Sequence, residues 1–343
     1  MSEFFDMDFG PLTGLAAASF MAVFVGVAIA IGIARTLLLR WQILDVPNER
    51  SSHDRPTPRG GGTGVLAVLL PVWIYWLSLV MDCGPRAGIG GAALLLAAIS
   101  WIDDLKGLGA PVRLGVHVIA AGAAVWALPG PIFGGLLPQL ADAAVAVLLL
   151  VWFINLFNFM DGIDAISGVE TLVIGAGVGA VALISPNLAG IAIPGLLLAA
   201  AALGFLVWNW PRARIFLGDV GSAPLGLLLG WLLLALASQG LWLSAIILPL
   251  YYLADSGLTL MRRLMRGENI TVAHRSHFYQ KAVQRGRGHA TVSFAVMAIG
   301  ILLVAHAAVA ARLDAAIAWP ALISAGAFVG LLLAWMASPA RRN

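Results

Sequence analysis

Three groups of acidic and amide side chains stand at the ends of apolar stretches in this chain: Asp103-Asp104, Asn155/Asn158/Asp161/Asp164, and Asp219. Charge at bilayer depth is expensive, and carboxylates gathered near one membrane face suit a divalent cation and phosphate chemistry. In Trp101-Ile-Asp103-Asp104-Leu-Lys106, adjacent carboxylates repel unless a cation shares the site. Beside a metal, such a pair can accept a proton or orient an acceptor phosphate. The same residues also read as a solvated helix end balanced by Lys106.

In Asn155-x-x-Asn158-x-x-Asp161-Gly162-x-Asp164, polar groups fall every third position. On a regular helix each step lags by roughly 60°, so the four spread over about half the circumference. A bend, expected at Gly162, would let them line one pocket; interhelical packing by the asparagines is the plainer alternative. In Phe216-Leu-Gly218-Asp219-Val-Gly221-Ser222, small residues let a phosphate approach a helix N-terminus. The Asp219 carboxylate would repel that phosphate without a cation between them, which points to Mg²⁺ or Mn²⁺. Asp219 as a simple N-cap is the competing reading.

His274-Arg275-Ser-His277 lies in a loop that also holds Arg262, Arg263 and Arg266. Its Arg and His suit a pyrophosphate or sugar; a basic loop that fixes topology or touches anionic lipid is the alternative. No further His or Cys completes a zinc site with the two histidines. The segment Asp45–Gly62, stiffened by prolines and ending in glycines, has the make-up of a loop folded over a site. Asp255 is expected to be paired with a nearby Arg or polar neighbour, and His117 and His306 to be structural.

The elements that position these groups follow from composition. Of 343 residues, 61% are hydrophobic and 11% charged, against about 25% charged in soluble domains. Mean hydropathy is +0.94. The chain is therefore expected to be an all-α, polytopic integral membrane protein forming one domain over residues 1–343. Apolar stretches fall at about 11–39, 63–81, 88–102, 114–129, 138–157, 168–185, 188–208, 221–237, 241–261, 291–311 and 316–337, giving about 10–11 transmembrane helices. With the N-terminus outside, 18 of the 20 Lys and Arg fall inside and only Arg86 and Arg312 outside. The positive-inside rule then places the N-terminus in the periplasm, the C-terminus in the cytoplasm, and all three clusters on the cytoplasmic face. The working loops are about 40–62, 103–113, 158–168, 209–221 and 262–290. The acidic start, Met1–Gly10, lacks the basic region of a signal peptide, so the first span is expected to remain. The net charge of +3 serves topology and gives no reason to expect nucleic acid. Cys83, the lone cysteine, excludes an intrachain disulfide.

These motifs together resemble the polyprenyl-phosphate N-acetylhexosamine-1-phosphate transferases of bacterial membranes. The resemblance rests on DxPNxRxxHxxPTPRGGG at Asp45–Gly62, DDxxG at Asp103–Gly107, NxxNxxDGxD at Asn155–Asp164 and GDxGS at Gly218–Ser222. It extends to Pro249…Asp255…Arg262-Arg263 and to the His-containing loop, all in family order. It implies transfer of a sugar 1-phosphate from a UDP-N-acetyl sugar to undecaprenyl phosphate, with release of UMP, in the bacterial inner membrane. By the same resemblance Asp219 and Asn158 ligate Mg²⁺ (or Mn²⁺), Asp164 reads uracil with Asp161 beside it, and Asp103 and Asp104 position or deprotonate the lipid phosphate. His274, Arg275 and His277 hold pyrophosphate and sugar, with Asn155, Lys106 and Arg59 completing the substrate contacts. Membrane lipids are the remaining partners, and a homodimer is compatible with this reading. Many family members carry a His-x-His-His run where this chain has His274-Arg-Ser-His277. That departure resembles the initiating enzymes of O-antigen and related pathways more than the phospho-MurNAc-pentapeptide transferases, and it leaves UDP-GlcNAc, UDP-FucNAc and UDP-QuiNAc open as donors.

Two other classes compete. A transporter would place ionisable groups near mid-membrane, whereas most acids here lie at span ends on one side. A CDP-alcohol phosphotransferase would couple Asp-Gly to Ala-Arg, which does not follow Asp161-Gly162.

Overall fold

A computed structural model describes residues 12–47, 55–185, 188–269, 274–314 and 316–340. The acidic start, Asn48, Arg50 and His53 of the first loop motif, the break at Pro186, and Arg341 and Arg342 lie outside the described residues. Among the described residues the chain is helical apart from one two-stranded ribbon, β1 (Leu44–Asp45) with β2 (Thr57–Pro58), paired antiparallel with Leu44 opposite Pro58.

Eight helices are long and apolar enough to cross a membrane: α1 (Thr13–Arg40), α3 (Cys83–Lys106), α5 (Gln139–Phe159), α6 (Ile166–Ile184), α7 (Ala189–Asn209), α8 (Asp219–Ser238), α12 (His289–Ala310) and α13 (Trp319–Ala337). Two further apolar helices, α2 (Gly62–Leu77) and α4 (Ala110–Trp126), are shorter. The protein is thus a multi-pass membrane protein; among the described residues eight helices meet that length and hydropathy, against the about 10–11 spans expected. The stretch 241–261, expected as one span, is two pieces: α9 (Trp242–Ile247) and α10 (Leu250–Met265). Pro249 caps α10, and its missing N–H and fixed φ explain why the apolar run does not continue as one helix. A short helix, α11 (Phe278–Gln284), was not expected from the apolar pattern.

Helix α8 is the axis of the bundle, its hydrophobic span wholly buried. In lipid, apolar side chains gain little by leaving one hydrocarbon phase for another, so close backbone approach carries the packing. The start of α2 shows this. A Cβ on Gly62 would lie 2.2 Å from Gly221 Cα, so two glycines let the first turns of α2 and α8 touch. The segment after β2 docks alongside: Phe216 N–H donates to Pro58 O at 2.8 Å, and Gly61 N–H to Phe216 O at 2.8 Å. The loop that precedes α2 is thereby fixed against the loop that precedes α8.

Candidate active site

The acidic groups meet at one end of the bundle. Asp104, in the last turn of α3, accepts from the first backbone N–H groups of α8: Asp219 N–H at 3.2 Å and Val220 N–H at 3.1 Å. A carboxylate at a helix N-terminus is favoured by both orphan donors and the dipole. Asp219, which opens α8, was weighed as an N-cap; here Gly218 takes the cap position and Asp104 supplies the anion. Arg59 bridges the two acids, its Nη2 lying 2.9 Å from Asp104 and 2.6 Å from Asp219. Asp103 holds Arg113 of α4 at 3.0 Å and accepts from Leu108 N–H. Arg113 also reaches to 3.9 Å from Asp219. Arg113 was expected only as a topology-setting charge; its four-residue distance from the α3–α4 turn is what returns it to Asp103.

Asn158, at the end of α5, joins the cluster through α8: its Nδ2 donates to Ser222 Oγ at 2.8 Å, one turn after Asp219. Its neighbour Asn155 donates to Val151 O of its own helix at 2.7 Å. His117 of α4, read as structural, lies beside Asn155 and within the field of Asp219 and Asp103; it sits four residues from Arg113, one helical turn. Asp161 hydrogen-bonds Ser167 and lies within the fields of Asp219, Arg59 and Asp104; burial pushes its carboxyl up to about 7. The bend between α5 and α6 differs from expectation. The left-handed residue is Ala165, φ 67°, not Gly162. Gly162 is required for another reason, since an added Cβ would lie 2.2 Å from the Tyr279 hydroxyl.

Asp164 is not gathered into this cluster. Its Oδ2 accepts from Ala213 N–H at 3.1 Å and pairs with His289 at 3.2 Å, while its backbone carbonyl takes the Ser293 hydroxyl at 2.8 Å. It fastens the α5–α6 turn to the 210–215 loop and to the start of α12. Lys106 is exposed in the last turn of α3. His274, Arg275 and His277 belong to the loop ahead of α11. His274 Nδ1 meets Ser276 Oγ at 2.8 Å and its ring stacks on His277 at 4.9 Å. Burial, then the neighbouring His277 and Arg263, push His274 down to about 4, so it is neutral at cellular pH. The Arg275 carbonyl accepts from Gln284 Nε2 at 3.0 Å.

Among the described residues no three His, Cys, Asp or Glu side chains enclose a metal ion. Mg²⁺, however, is commonly held by one or two carboxylates and completed by water and substrate phosphate. The part-exposed Asp219 carboxylate and the Asn158 amide oxygen form an all-oxygen donor set of that kind, and the cation Arg59 already sits on Asp219. The residues fit such an ion.

Beyond the cluster, α5, α8, α9 and α10 border an open apolar groove, lined by Leu149, Phe153, Gly230, Leu234, Ala245 and Leu253 among others.

Residues 87–237 match the model of glycosyl transferase family 4. The chain is 30% identical over 319 residues to a decaprenyl-phosphate N-acetylglucosaminephosphotransferase of Mycolicibacterium smegmatis, covering 81% of this chain and 78% of that protein. It is 27% identical to a probable undecaprenyl-phosphate N-acetylglucosaminyl 1-phosphate transferase of Bacillus subtilis, covering 83% and 82% respectively. A phospho-N-acetylmuramoyl-pentapeptide-transferase of Streptococcus thermophilus is 28% identical over 60% of this chain and 65% of its own length.

Proposed function

The chain belongs to glycosyl transferase family 4, and from that premise we propose that it transfers an N-acetyl-sugar 1-phosphate from a UDP-sugar to undecaprenyl phosphate, releasing UMP. The observation that carries this reading is the meeting of Asp103, Asp104, Asp219 and Asn158 with Arg59 and Arg113 at one end of a membrane bundle that also has an apolar groove. Phosphate anions need the two guanidinium groups and a divalent cation; a polyprenyl tail needs the groove. The positive-inside pattern puts that end in the cytoplasm, where nucleotide sugars are made, and the membrane is the bacterial inner membrane.

Asp219 and Asn158 would hold Mg²⁺ (or Mn²⁺), which supplies positive charge to the diphosphate. The protein's own groups do the rest. Asp104 fixes the first turn of α8, so Asp219 and Ser222 are set against Asn158. Asp103 aims Arg113 into the site, and Arg59 and Arg113 bind phosphate oxygens bidentately. A lipid phosphate with second pKa near 6 is mostly a dianion at cytosolic pH. Its oxygen attacks the β-phosphorus of the donor; the bond from that phosphorus to the bridging oxygen breaks, and the electron pair leaves with UMP. The Asp pair acts as positioner in this scheme. Asp161 and the loop of His274, Arg275 and His277 face the donor, while Asp164 acts by anchoring the turn that carries Asp161.

The donor is a UDP-N-acetyl sugar of the GlcNAc, FucNAc or QuiNAc type, and the product starts a lipid-linked envelope polysaccharide such as O-antigen. The similarity to a pentapeptide transferase favours a second reading, with UDP-MurNAc-pentapeptide as donor. One assay separates them. Purified protein is incubated with undecaprenyl phosphate, Mg²⁺ and a panel of UDP-sugars that includes UDP-MurNAc-pentapeptide, and UMP is measured. Release with one simple UDP-sugar, absent in Asp219→Ala, supports the first reading; release with the pentapeptide donor alone supports the second. No release with any donor overturns both.

A further inference from the structure

Asp255 lies in α10, past the break at Pro249, and is fully buried. Five donors converge on its two oxygens. Oδ1 accepts from Phe278 N–H at 2.9 Å, His277 Nδ1 at 3.3 Å and Thr259 Oγ1 at 3.4 Å. Oδ2 accepts from Tyr279 N–H at 3.1 Å and the Tyr251 hydroxyl at 3.4 Å. Among the described residues no Lys or Arg pairs with it; His277, 2% exposed, is the single group within ion-pair distance that can carry countercharge.

A carboxylate has only lone pairs to offer, so the proton on this contact belongs to His277 Nδ1. The other ring nitrogen is then Nε2. The ring is held flat by stacking on His274 at 4.9 Å and on Tyr279 at 5.8 Å. Tyr279 in turn donates its hydroxyl to Phe159 O at 3.1 Å, next to Asn158. One buried carboxylate therefore ties the basic loop, α11 and the end of α5 into a single rigid unit.

We propose that Asp255 is a positioning residue: it holds His277 with Nδ1–H turned into the protein and Nε2 presented to the sugar nucleotide, where it can accept from a sugar hydroxyl or, once protonated, donate to the diphosphate. The inference rests on the transferase reading above. A partner that fixes the tautomer and orientation of a ligand-binding His is typically worth 10–100-fold in metal sites and by analogous logic here.

The test uses the full-length protein with undecaprenyl phosphate, Mg²⁺ and the UDP-sugar that wild type turns over. Asp255→Asn should raise the donor KM about 10–100-fold and leave the KM for undecaprenyl phosphate within about twofold. In a His277→Gln background Asp255→Asn should add little, because the group it orients is gone. Equal losses in both backgrounds would overturn the inference and leave a purely architectural carboxylate. A second pair holds if Asp255→Asn does not fold. Gln places its amide near Nε2 and Asn near Nδ1, so His277→Gln should keep more donor affinity than His277→Asn; the reverse order overturns the proposal. Wild type that releases no UMP from any UDP-sugar overturns the transferase reading together with the inference, whereas active wild type with additive variants overturns the inference alone.

Discussion

Arg59 shows how one side chain can stand in for an ion. Its Nη2 lies within 3 Å of both Asp104 and Asp219, the place where a cation bound to Asp219 would neutralise the same charges. A guanidinium there and a divalent ion compete. Arg59→Ala should therefore lower the Mg²⁺ concentration for half-maximal UMP release by about fivefold, the equivalent of ~1 kcal/mol for a part-exposed pair, while turnover falls because a phosphate ligand is lost. A Mg²⁺ titration reads both, and an unchanged midpoint would show that the two cations do not compete. Asp161 makes a different prediction. Unfolded, its carboxyl titrates near 4; folded, burial pushes it up to about 7. The folded state thus keeps a proton that the unfolded chain has lost, and stability present at low pH declines as pH rises through 7. Asp161→Asn should leave the melting temperature of metal-free protein unchanged at pH 4 and raise it at pH 8. A gain of equal size at both pH values would remove the titration as its cause.

At the scale of elements, glycine contacts and backbone caps decide the site's shape. Gly62→Ala drives a Cβ to 2.2 Å from Gly221 Cα. Backbone cannot yield as a flexible side chain can, so the first turns of α2 and α8 must part, at a cost of about 1–3 kcal/mol. Arg59 and Asp219 part with them, and the melting temperature and kcat should fall together. Asp142 is the control at the other end of the molecule. Its buried carboxylate accepts from Ile132 N–H and Phe133 N–H, both at 2.9 Å. Asp142→Ala strands two donors at about 1–3 kcal/mol each and should lower the melting temperature with kcat unchanged; a matching drop in kcat would mean that the two ends are coupled. These contacts also mark the limit of what the chain announces. The apolar stretches and the ends at which polar groups collect are readable because lipid demands long apolar runs. The break at Pro249, the Asp104 cap on α8, the Arg113–Asp103 pair and the Asp255 clamp are not. The break follows from a single proline inside an apolar run; each of the others joins residues of different elements, and periodicity within one helix carries no trace of its neighbour. Asp164 looked equivalent to Asp161 by spacing, yet Asp161 meets Ser167 while Asp164 meets Ala213 N–H and His289.

For the whole molecule, the proposed reaction moves a sugar phosphate from a water-soluble nucleotide to a lipid, so one site must open to both phases. The charged end supplies the first. The groove bordered by α5, α8, α9 and α10 supplies the second. At 1.5 Å per residue, Gly230 and Ala237 lie about 16 Å and about 27 Å along α8 from Asp219, so the groove begins well short of Asp219 on α8 and extends toward the opposite end of the bundle. It lies where α9 and α10, divided at Pro249, face α8 and α5. A polyprenyl tail lying in it would place its phosphate toward Arg59 and Arg113, while the donor occupies the side of Asp161 and His277. Filling the groove should then act on one substrate only. Ala245→Trp or Leu234→Trp is expected to raise the KM for undecaprenyl phosphate several-fold and to leave the donor KM and the melting temperature near wild type. A short-chain, water-soluble prenyl phosphate, which has little tail to lodge in the groove, should be used equally well by both proteins. If the tryptophan variants handle long and short acceptors alike, the lipid reaches the arginines by another face, and the groove is only a seam between helices.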